Sequence, residues 1–221
     1  MGDPARKAAL FDQLARVGKA LGSGKRLELL DLLAQGERTV EALAQTCGLG
    51  TTTASAHLQT LKRAGLVATR RDGVRIHYRL AGSDVAEIYV RLRELAAAHL
   101  PDVTAARDAY LGPADVEAVT REELLRRVDA GAVTVVDVRP AEEYATGHIP
   151  AALSIPLAEL PDRLAELPAD LEVVAYCRGA YCVFSHEAVR LLAAHGRRAR
   201  RLAEGMLEWR LADLPVETAT G

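Results

Sequence analysis

The chain has 221 residues, of which 49% are hydrophobic and 26% charged, an ordinary composition for a soluble globular protein. No stretch approaches the roughly 20 apolar residues of a membrane span, and the N-terminal segment lacks the apolar core of a secretory signal. Three cysteines are too few for a disulfide scaffold and fit a reducing compartment. These features predict a cytoplasmic protein with no membrane partner.

The two halves of the chain differ in charge. Residues 1–98 carry a formal net charge of +5, and residues 99–221 carry −7. The length allows two small domains, each with its own core. A basic first half favours a polyanionic partner such as nucleic acid. We therefore predict a first domain over 1–98, a linker rich in Pro and Gly over 99–116, and a second domain over 117–221.

Apolar periodicity organises the first half. Its spacing predicts helices over 5–20, from Ser23 to Gly36, from Thr39, over 51–64, and around Val85 to Leu95. A hairpin with a tight Asp72–Gly73 turn is predicted before the last of these helices. Two short helices joined by a turn that contains glycine, and followed by a hairpin, are typical of a winged helix-turn-helix.

Polar side chains on the helix over 51–64 share the face opposite its apolar residues. Short hydroxyls near a helix N-terminus can approach phosphates, and a glutamine can contact base edges in the major groove. The hairpin adds cations suited to phosphates or to a minor groove. The alternative is an interaction domain with a solvated polar face. The candidate DNA-binding residues are Thr51, Thr52, Ser55, Gln59, Lys62, Arg70, Arg71, Arg75 and His77.

The first half resembles the ArsR/SmtB family of small dimeric repressors over about residues 5–98. The matching segments are Arg26–Leu30, Leu43–Ala44, Ser55–Val67 and the wing Gly73–Tyr78. The resemblance implies a homodimer, built from the first and fifth helices, that binds an inverted repeat in double-stranded DNA. Ala56 stands where relatives often carry histidine.

Many members of that family sense metals. One family site needs a Cys-x-Cys pair on the third helix, where this chain has only Arg, Thr, Val, Glu and Ala over 38–42. The other needs Asp-x-His on the last helix, where this chain has Asp84, Val85 and Ala86. Because borderline metals need clustered Cys and His ligands, we predict no metal site. Cys47 is interpreted as a small core residue.

The second half alternates strands and helices. A capping box from Thr120 opens a helix, and strands are expected over 133–138, near 152–155, before Cys177, and near 199–202. Helices are expected from Pro140, over 157–167, after the Cys177 segment, and around Trp209. The alternation predicts a mainly parallel sheet with helices on both faces.

A cysteine-headed loop joins a strand to a helix at Cys177. Loop amides and the positive end of the helix stabilise a thiolate, so we expect Cys177 to be a nucleophile with a lowered pKa. Cys182 is close enough in sequence to resolve a persulfide or form a disulfide, or it is a small buried loop residue. Arg178 either attracts an anionic donor or holds the loop. The loop has Val183 where a Cys-x5-Arg phosphatase has its arginine, so it lacks the oxyanion clamp.

Residues 117–217 resemble a single-domain rhodanese. The matching segments are Val136–Arg139 with Glu143–Tyr144, Gly147–Ala152, the Cys177 loop and Glu204–Trp209. The resemblance implies that Cys177 takes a sulfane sulfur from a donor, becomes a persulfide, and passes the sulfur to an acceptor. Asp137, Arg139 and His148 are interpreted as structural hydrogen-bonding residues.

These observations predict two domains, a mainly α winged helix-turn-helix and an α/β rhodanese-like domain. We interpret the chain as a dimeric repressor in which Cys177 and Cys182 respond to reactive sulfur species or thiol oxidants. Its sulfur partner would be thiosulfate, polysulfide or a low-molecular-weight persulfide, with no bound cofactor. One alternative is a sulfurtransferase whose DNA-binding half controls its own operon. Another, a metal-responsive repressor, lacks the ligand sets.

Overall fold

A computed structural model describes residues 3–112 and 118–218. The chain divides into two compact units, Met1–Glu94 and Leu95–Gly221. The last residues of the predicted linker, from 113 onward, lie outside the described residues. In the described part of the chain, no helix is both long and apolar enough to cross a membrane.

The first unit is a helical domain with a small antiparallel sheet. The sheet order is β1–β3–β2, and β2 and β3 form the predicted hairpin. The predicted helices are all present, whereas β1 has only two residues and carries no periodicity that a sequence could show. The elements are α1 (Pro4–Leu21), α2 (Gly24–Leu33), β1 (Arg38–Thr39), α3 (Val40–Thr46), α4 (Thr51–Arg63), β2 (Val67–Asp72), β3 (Arg75–Leu80) and α5 (Ser83–His99).

The core of the first unit explains the orientation of α4. Ala54, Leu58 and Leu61 have no exposed surface, and they recur every three or four residues along the helix. The opposite face of α4 is consequently turned to solvent. Gly65 follows the end of α4 with a backbone φ of +77°, a conformation that glycine adopts without a steric penalty.

The second unit is built around a parallel sheet of order β5–β4–β6–β7. The predicted helix over 157–167 is a 3₁₀-helix. The elements are α6 (Pro101–Leu111), α7 (Arg121–Asp129), β4 (Val133–Asp137), α8 (Ala141–Ala145), β5 (Leu153–Ser154), the 3₁₀-helix (Leu160–Glu166), β6 (Glu172–Tyr176), α9 (Val183–Ala194), β7 (Ala199–Arg201) and α10 (Met206–Leu211).

Side-chain alternation along the strands supplies a core on each face of this sheet. In β6, Val173 and Ala175 pack into one buried cluster with Cys177, while Val174 and Tyr176 pack into another with Trp209. Both faces are therefore covered, which is typical of a parallel sheet. The two-layered core places the Cys177 loop at the carboxyl end of a central strand.

Helix α6 occupies most of the described part of the predicted linker. Pro101 is at its first turn, where a missing amide hydrogen is tolerated, and Gly112 follows its end with φ +76°. The helix packs against α9, and Arg190 Nη1 donates to the Leu111 carbonyl at 3.2 Å. The segment after the first unit is thus partly structured as a component of the second unit.

Candidate functional site

The Cys177 loop runs from the end of β6 to the start of α9. Cys177 is 1% exposed, and its Sγ lies 3.3 Å from Ser185 Oγ and 3.4 Å from the Cys182 carbonyl oxygen. Cys182 is the residue before the first turn of α9 and is partly exposed. The loop therefore holds a buried Cys177 and a partly buried Cys182, and the Cys177 thiol contacts the Cys182 backbone.

The two thiols have opposite pKa shifts. Burial raises the pKa of Cys177 well above its ordinary value. The pKa of Cys182 is lowered, chiefly by the hydrogen bond from Cys177 and further by the backbone amides of Arg178 and Phe184. The expectation of a lowered pKa at Cys177 is corrected here, because burial of its sulfur outweighs the contacts from Ser185. The first proton that this coupled pair loses therefore leaves the negative charge on Cys182.

Arg178 forms an ion pair with Glu143. Its Nη2 lies 2.6 Å from Glu143 Oε1, and the two side chains are 13% and 2% exposed. The guanidinium also sits over the Phe184 ring, 5.0 Å from the centroid. Of the two roles that the sequence left open, these contacts favour holding the loop over attracting an anionic donor.

The first residues of α10 form hydrogen bonds with the backbone of the Cys177 loop. Met206 N donates to the Cys177 carbonyl at 2.9 Å. Gly205 permits this approach, because a Cβ there would lie 2.4 Å from the Gly179 nitrogen. The Glu208 carboxylate accepts hydrogen bonds from Gly205 N at 3.0 Å and Ala180 N at 3.4 Å. Backbone and carboxylate contacts together fix the shape of the loop.

The polar residues of the neighbouring strand end support the scaffold. Asp137 and Arg139 have fully buried side chains that form an ion pair, and Arg139 Nη2 also donates to the Gly147 carbonyl at 2.8 Å. His148 stacks on Tyr144 with ring centroids 3.6 Å apart. These contacts bind β4 to the segment that follows α8.

The exposed face of α4 forms the candidate nucleic-acid surface of the first unit. Thr51 and Thr52 are exposed in its first turn, and Ser55 is partly exposed one turn on. Gln59 Nε2 donates to Tyr78 Oη at 3.2 Å, and Lys62 Nζ donates to Thr69 Oγ1 at 2.8 Å. Two of the predicted base- and phosphate-contacting side chains are thus oriented by the hairpin.

The hairpin register divides the predicted wing residues between two faces. Thr69 pairs with Tyr78, so the α4-facing side of the ribbon also carries Arg71, two residues along the strand. Arg70 is opposite His77, on the other side with Arg75, which follows the same alternation. The nine predicted residues therefore do not form one continuous surface.

Two carboxylates lie close to the Arg70 guanidinium. Its Nη2 lies 2.7 Å from Glu37 Oε2, and its Nη1 lies 3.6 Å from Asp72. These carboxylates raise the pKa of Arg70, Glu37 through the largest contribution, and partly neutralise its charge toward a phosphate. Arg71 instead donates from Nε to the Gly73 carbonyl at 3.0 Å.

Comparisons with known proteins match each unit to a known domain family. A helix-turn-helix domain model matches residues 21–70, and a rhodanese-like domain model matches residues 120–212. An HTH-type transcriptional regulator of Mycobacterium tuberculosis is 59% identical over 98% of this chain and 95% of its own length. The chain belongs to the ArsR-type winged helix-turn-helix regulators that carry a C-terminal rhodanese-like domain.

Two further relatives each match one half of this ArsR-type regulator. A sulfurtransferase of Allochromatium vinosum is 35% identical over 48% of this chain and 99% of that protein. A solved homodimeric winged helix-turn-helix domain from Mycobacterium bovis is 57% identical, with a TM-score of 0.43, over 46% of this chain and 94% of that one. The family assignment makes the chain a DNA-binding transcriptional regulator and confirms the predicted fold class.

Several supporting residues of the regulator's cysteine loop escaped the sequence interpretation. Ser185 contacts the Cys177 sulfur, and Glu143 neutralises Arg178 from 35 residues away. Glu143, Gly205 and Glu208 belong to segments that match the rhodanese pattern, but that pattern does not reveal their contacts. The available signal for Ser185 was a hydroxyl eight residues after the cysteine, in the first turn of the helix that follows the loop.

Proposed function

We propose that this regulator senses reactive sulfur species through the Cys177–Cys182 pair and changes its DNA affinity in response. The observation that carries the proposal is the placement of both cysteines on one short loop, where the buried Cys177 Sγ lies 3.4 Å from the Cys182 carbonyl oxygen. A pair arranged in this way can take up a sulfur atom and then close to a disulfide.

The first step is sulfur uptake. The Cys182 thiolate accepts the Cys177 proton, and the Cys177 thiolate attacks the terminal sulfane sulfur of a polysulfide or a low-molecular-weight persulfide. The donor's sulfur–sulfur bond breaks, and the shortened donor leaves with the electron pair. Because Cys177 is 1% exposed, the loop over 178–182 moves to admit the donor.

The second step closes the pair. Cys182 gives up the proton it accepted, its sulfur attacks Cys177 Sγ, and the Sγ–outer sulfur bond breaks. The outer sulfur takes the electron pair and that proton and leaves as hydrosulfide. The two cysteines are oxidised by two electrons, and the sulfane sulfur is reduced to sulfide. The product is a Cys177–Cys182 disulfide, whose loop differs in geometry from the reduced loop.

The DNA-binding form is proposed to be a homodimer on an inverted repeat. Support comes from large apolar side chains exposed on α1, namely Leu10, Phe11 and Leu14, each more than half exposed. Helix α5 adds Ile88 and Leu95. Exposed apolar stripes of this kind are favourable to bury between two copies.

The test is an operator titration with the full chain. A duplex selected by the reduced protein is titrated with reduced and polysulfide-treated protein, and intact mass is recorded on the same samples. A change in affinity that accompanies cysteine modification and is lost in Cys177→Ser supports the proposal. Unchanged affinity of a fully modified protein rejects it.

A second candidate function is sulfurtransferase turnover, favoured by the match to the Allochromatium vinosum sulfurtransferase over almost its whole length. In that role Cys177 would pass the persulfide sulfur to an acceptor thiol. Steady turnover with thiosulfate and an acceptor thiol, with operator affinity unchanged, would favour the enzyme over the sensor.

A further inference from the structure

A cleft of about 450 Å³ opens beside the Cys177 loop within the second unit. Four elements contribute to it: α6, the cysteine loop, α9 and the end of β7. The residues that line it are Arg107, Asp108, Leu111, Gly112, Ala180, Tyr181, His186, Arg201 and Ala203. The cleft therefore joins the reactive loop to the helix that precedes the rhodanese-like fold.

Arg201 places positive charge in this cleft. Its Nη1 has long contacts of 3.4 Å with the carbonyls of Leu202 and Ala203, and no ion pair to it is found among the residues that the structure describes. Burial lowers the pKa of Arg201, the nearby charge of Arg107 lowers it further, and a charge on Cys177 acts in the opposite direction. The guanidinium is thus partly desolvated beside another cation.

The pKa of His186 is affected by the same positive charges. Its pKa is lowered to about 4, mainly by burial and then by Arg201 and Arg190. The carboxylate in the cleft, Asp108, is bound to Arg107 at 2.7 Å and leaves Arg201 unneutralised. At neutral pH the imidazole is uncharged, and Asp108 balances only one of the two arginines that line the cleft.

We propose that this cleft binds the anionic end of a sulfane-sulfur donor, with Arg201 as the principal charge partner, His186 as a further donor, and Arg107 contributing the N–H groups that Asp108 leaves available. The proposal rests on the proposed sulfur-sensing function. Arg178, the cation nearest to Cys177 in sequence, is held by Glu143 instead. An anion bound here would lie beside Ala180 and Tyr181, on the loop that carries both thiols.

The position of Arg107 gives this site a regulatory consequence. Helix α6 begins at Pro101, and α5 of the winged helix-turn-helix ends at His99. An anion that engages Arg107 restrains the helix that directly follows α5 in the chain. Occupation of the cleft, as well as cysteine modification, would therefore bias the segment that leads out of the DNA-binding domain.

The test uses sulfate, an oxyanion without a sulfane sulfur, on the reduced full chain at constant ionic strength. Histidine side-chain NMR spectra are followed from pH 4 to 7, and His186→Gln assigns the resonance. Sulfate should raise the pKa of His186 by about one unit or more, because an opposite charge stabilises the imidazolium. Arg201→Gln should weaken sulfate binding at least about tenfold, the loss of one charge-assisted contact.

Arg126→Gln is the matched control, since Arg126 is an exposed arginine on α7 outside the cleft. It should bind sulfate as the wild type does. Thiosulfate on Cys177→Ser, which lacks the proposed sulfur acceptor, should produce the same His186 shift. No response of His186, or an equal response in Arg201→Gln, would overturn the site. Binding of sulfate but not thiosulfate would overturn the donor assignment. None of these readouts depends on a change in operator affinity, so failure of the sensing proposal is seen separately.

Discussion

The guanidinium of Arg178 lies 2.6 Å from the carboxylate of Glu143, and the Glu143 side chain is only 2% exposed. The ion pair joins Arg178, the residue after Cys177, to Glu143 of α8. Removing either side chain leaves the other as a buried charge without its partner, which lowers the free energy of unfolding. The loop geometry therefore depends on a charge pair whose members are far apart in sequence.

Glu143→Ala should destabilise the second unit by about 3 kcal/mol, because it leaves the Arg178 guanidinium without its buried partner. Trp209, the single tryptophan of the chain, is buried in this unit and reports its unfolding in urea by fluorescence. Glu142→Ala, an exposed neighbour on the same helix, is the control and should stay within about 0.5 kcal/mol of wild type. Equal losses for both variants would show that the pair contributes little.

Cys182→Ser should shift alkylation of the loop to higher pH. In the wild type the pair loses its first proton at the lowered pKa of Cys182, whereas the variant keeps only Cys177, whose pKa burial raises. At pH 7 iodoacetamide should modify the loop at least about tenfold more slowly in the variant, as one pKa unit implies. Peptide mass mapping between pH 6 and 10 measures this.

Cys177→Ser is the companion protein for that experiment. It loses the Cys177 contact that lowers the pKa of Cys182 most and keeps only the backbone amide contacts, so its remaining loop thiol should react at a higher pH than the wild-type loop. If residue 177 of Cys182→Ser is alkylated as fast as the wild-type loop, Cys182 does not lower the pH at which the loop reacts.

Polysulfide treatment should produce different masses in the wild type and in Cys182→Ser. The wild type should lose two hydrogens as the loop disulfide forms, while the variant, without a resolving thiol, should gain one sulfur as a Cys177 persulfide. Cys47→Ser should behave like the wild type, since Cys47 is buried in the core of the first unit. A persulfide of equal lifetime in all three proteins would make Cys182 a purely structural residue.

Arg71→Ala should weaken binding to all DNA sequences and reduce the slope of log affinity against log salt by about one, the release of one counterion. Arg70→Ala should have a smaller effect on both quantities, because Glu37 already neutralises part of its charge. Fluorescence anisotropy across a salt series measures both slopes. Equal slopes for the two variants would contradict the partial neutralisation of Arg70 by Glu37.

Gln59→Ala tests base contact by α4. It should relax the preference at a single base position, with a loss of discrimination of about 1–3 kcal/mol. Selection of binding sites from random duplexes by the wild type and the variant measures that change. A uniform loss of affinity with an unchanged site would assign Gln59 to positioning, through its bond to Tyr78, rather than to base recognition.

The order of elements was predictable because burial imposes local spacing. Ala54, Leu58 and Leu61 follow one helical face, and the apolar strand before Cys177 alternates between two covered faces of a sheet. By contrast, the two-residue β1 has no period to detect. The 3₁₀-helix over Leu160–Glu166 could not be distinguished from an α-helix by apolar residues alone.

The sequence by itself determined the two-domain architecture, the placement of Cys177 between a strand and a helix, and the polar face of α4. Only the tertiary structure decided which charges are engaged: Arg178 by Glu143, and Arg70 by Glu37. It also decided that burial raises the pKa of Cys177, while the pKa of Cys182 is lowered. The physical reason is that spacing along a chain determines which side chains share a face, whereas ion pairing and desolvation depend on contacts between distant segments.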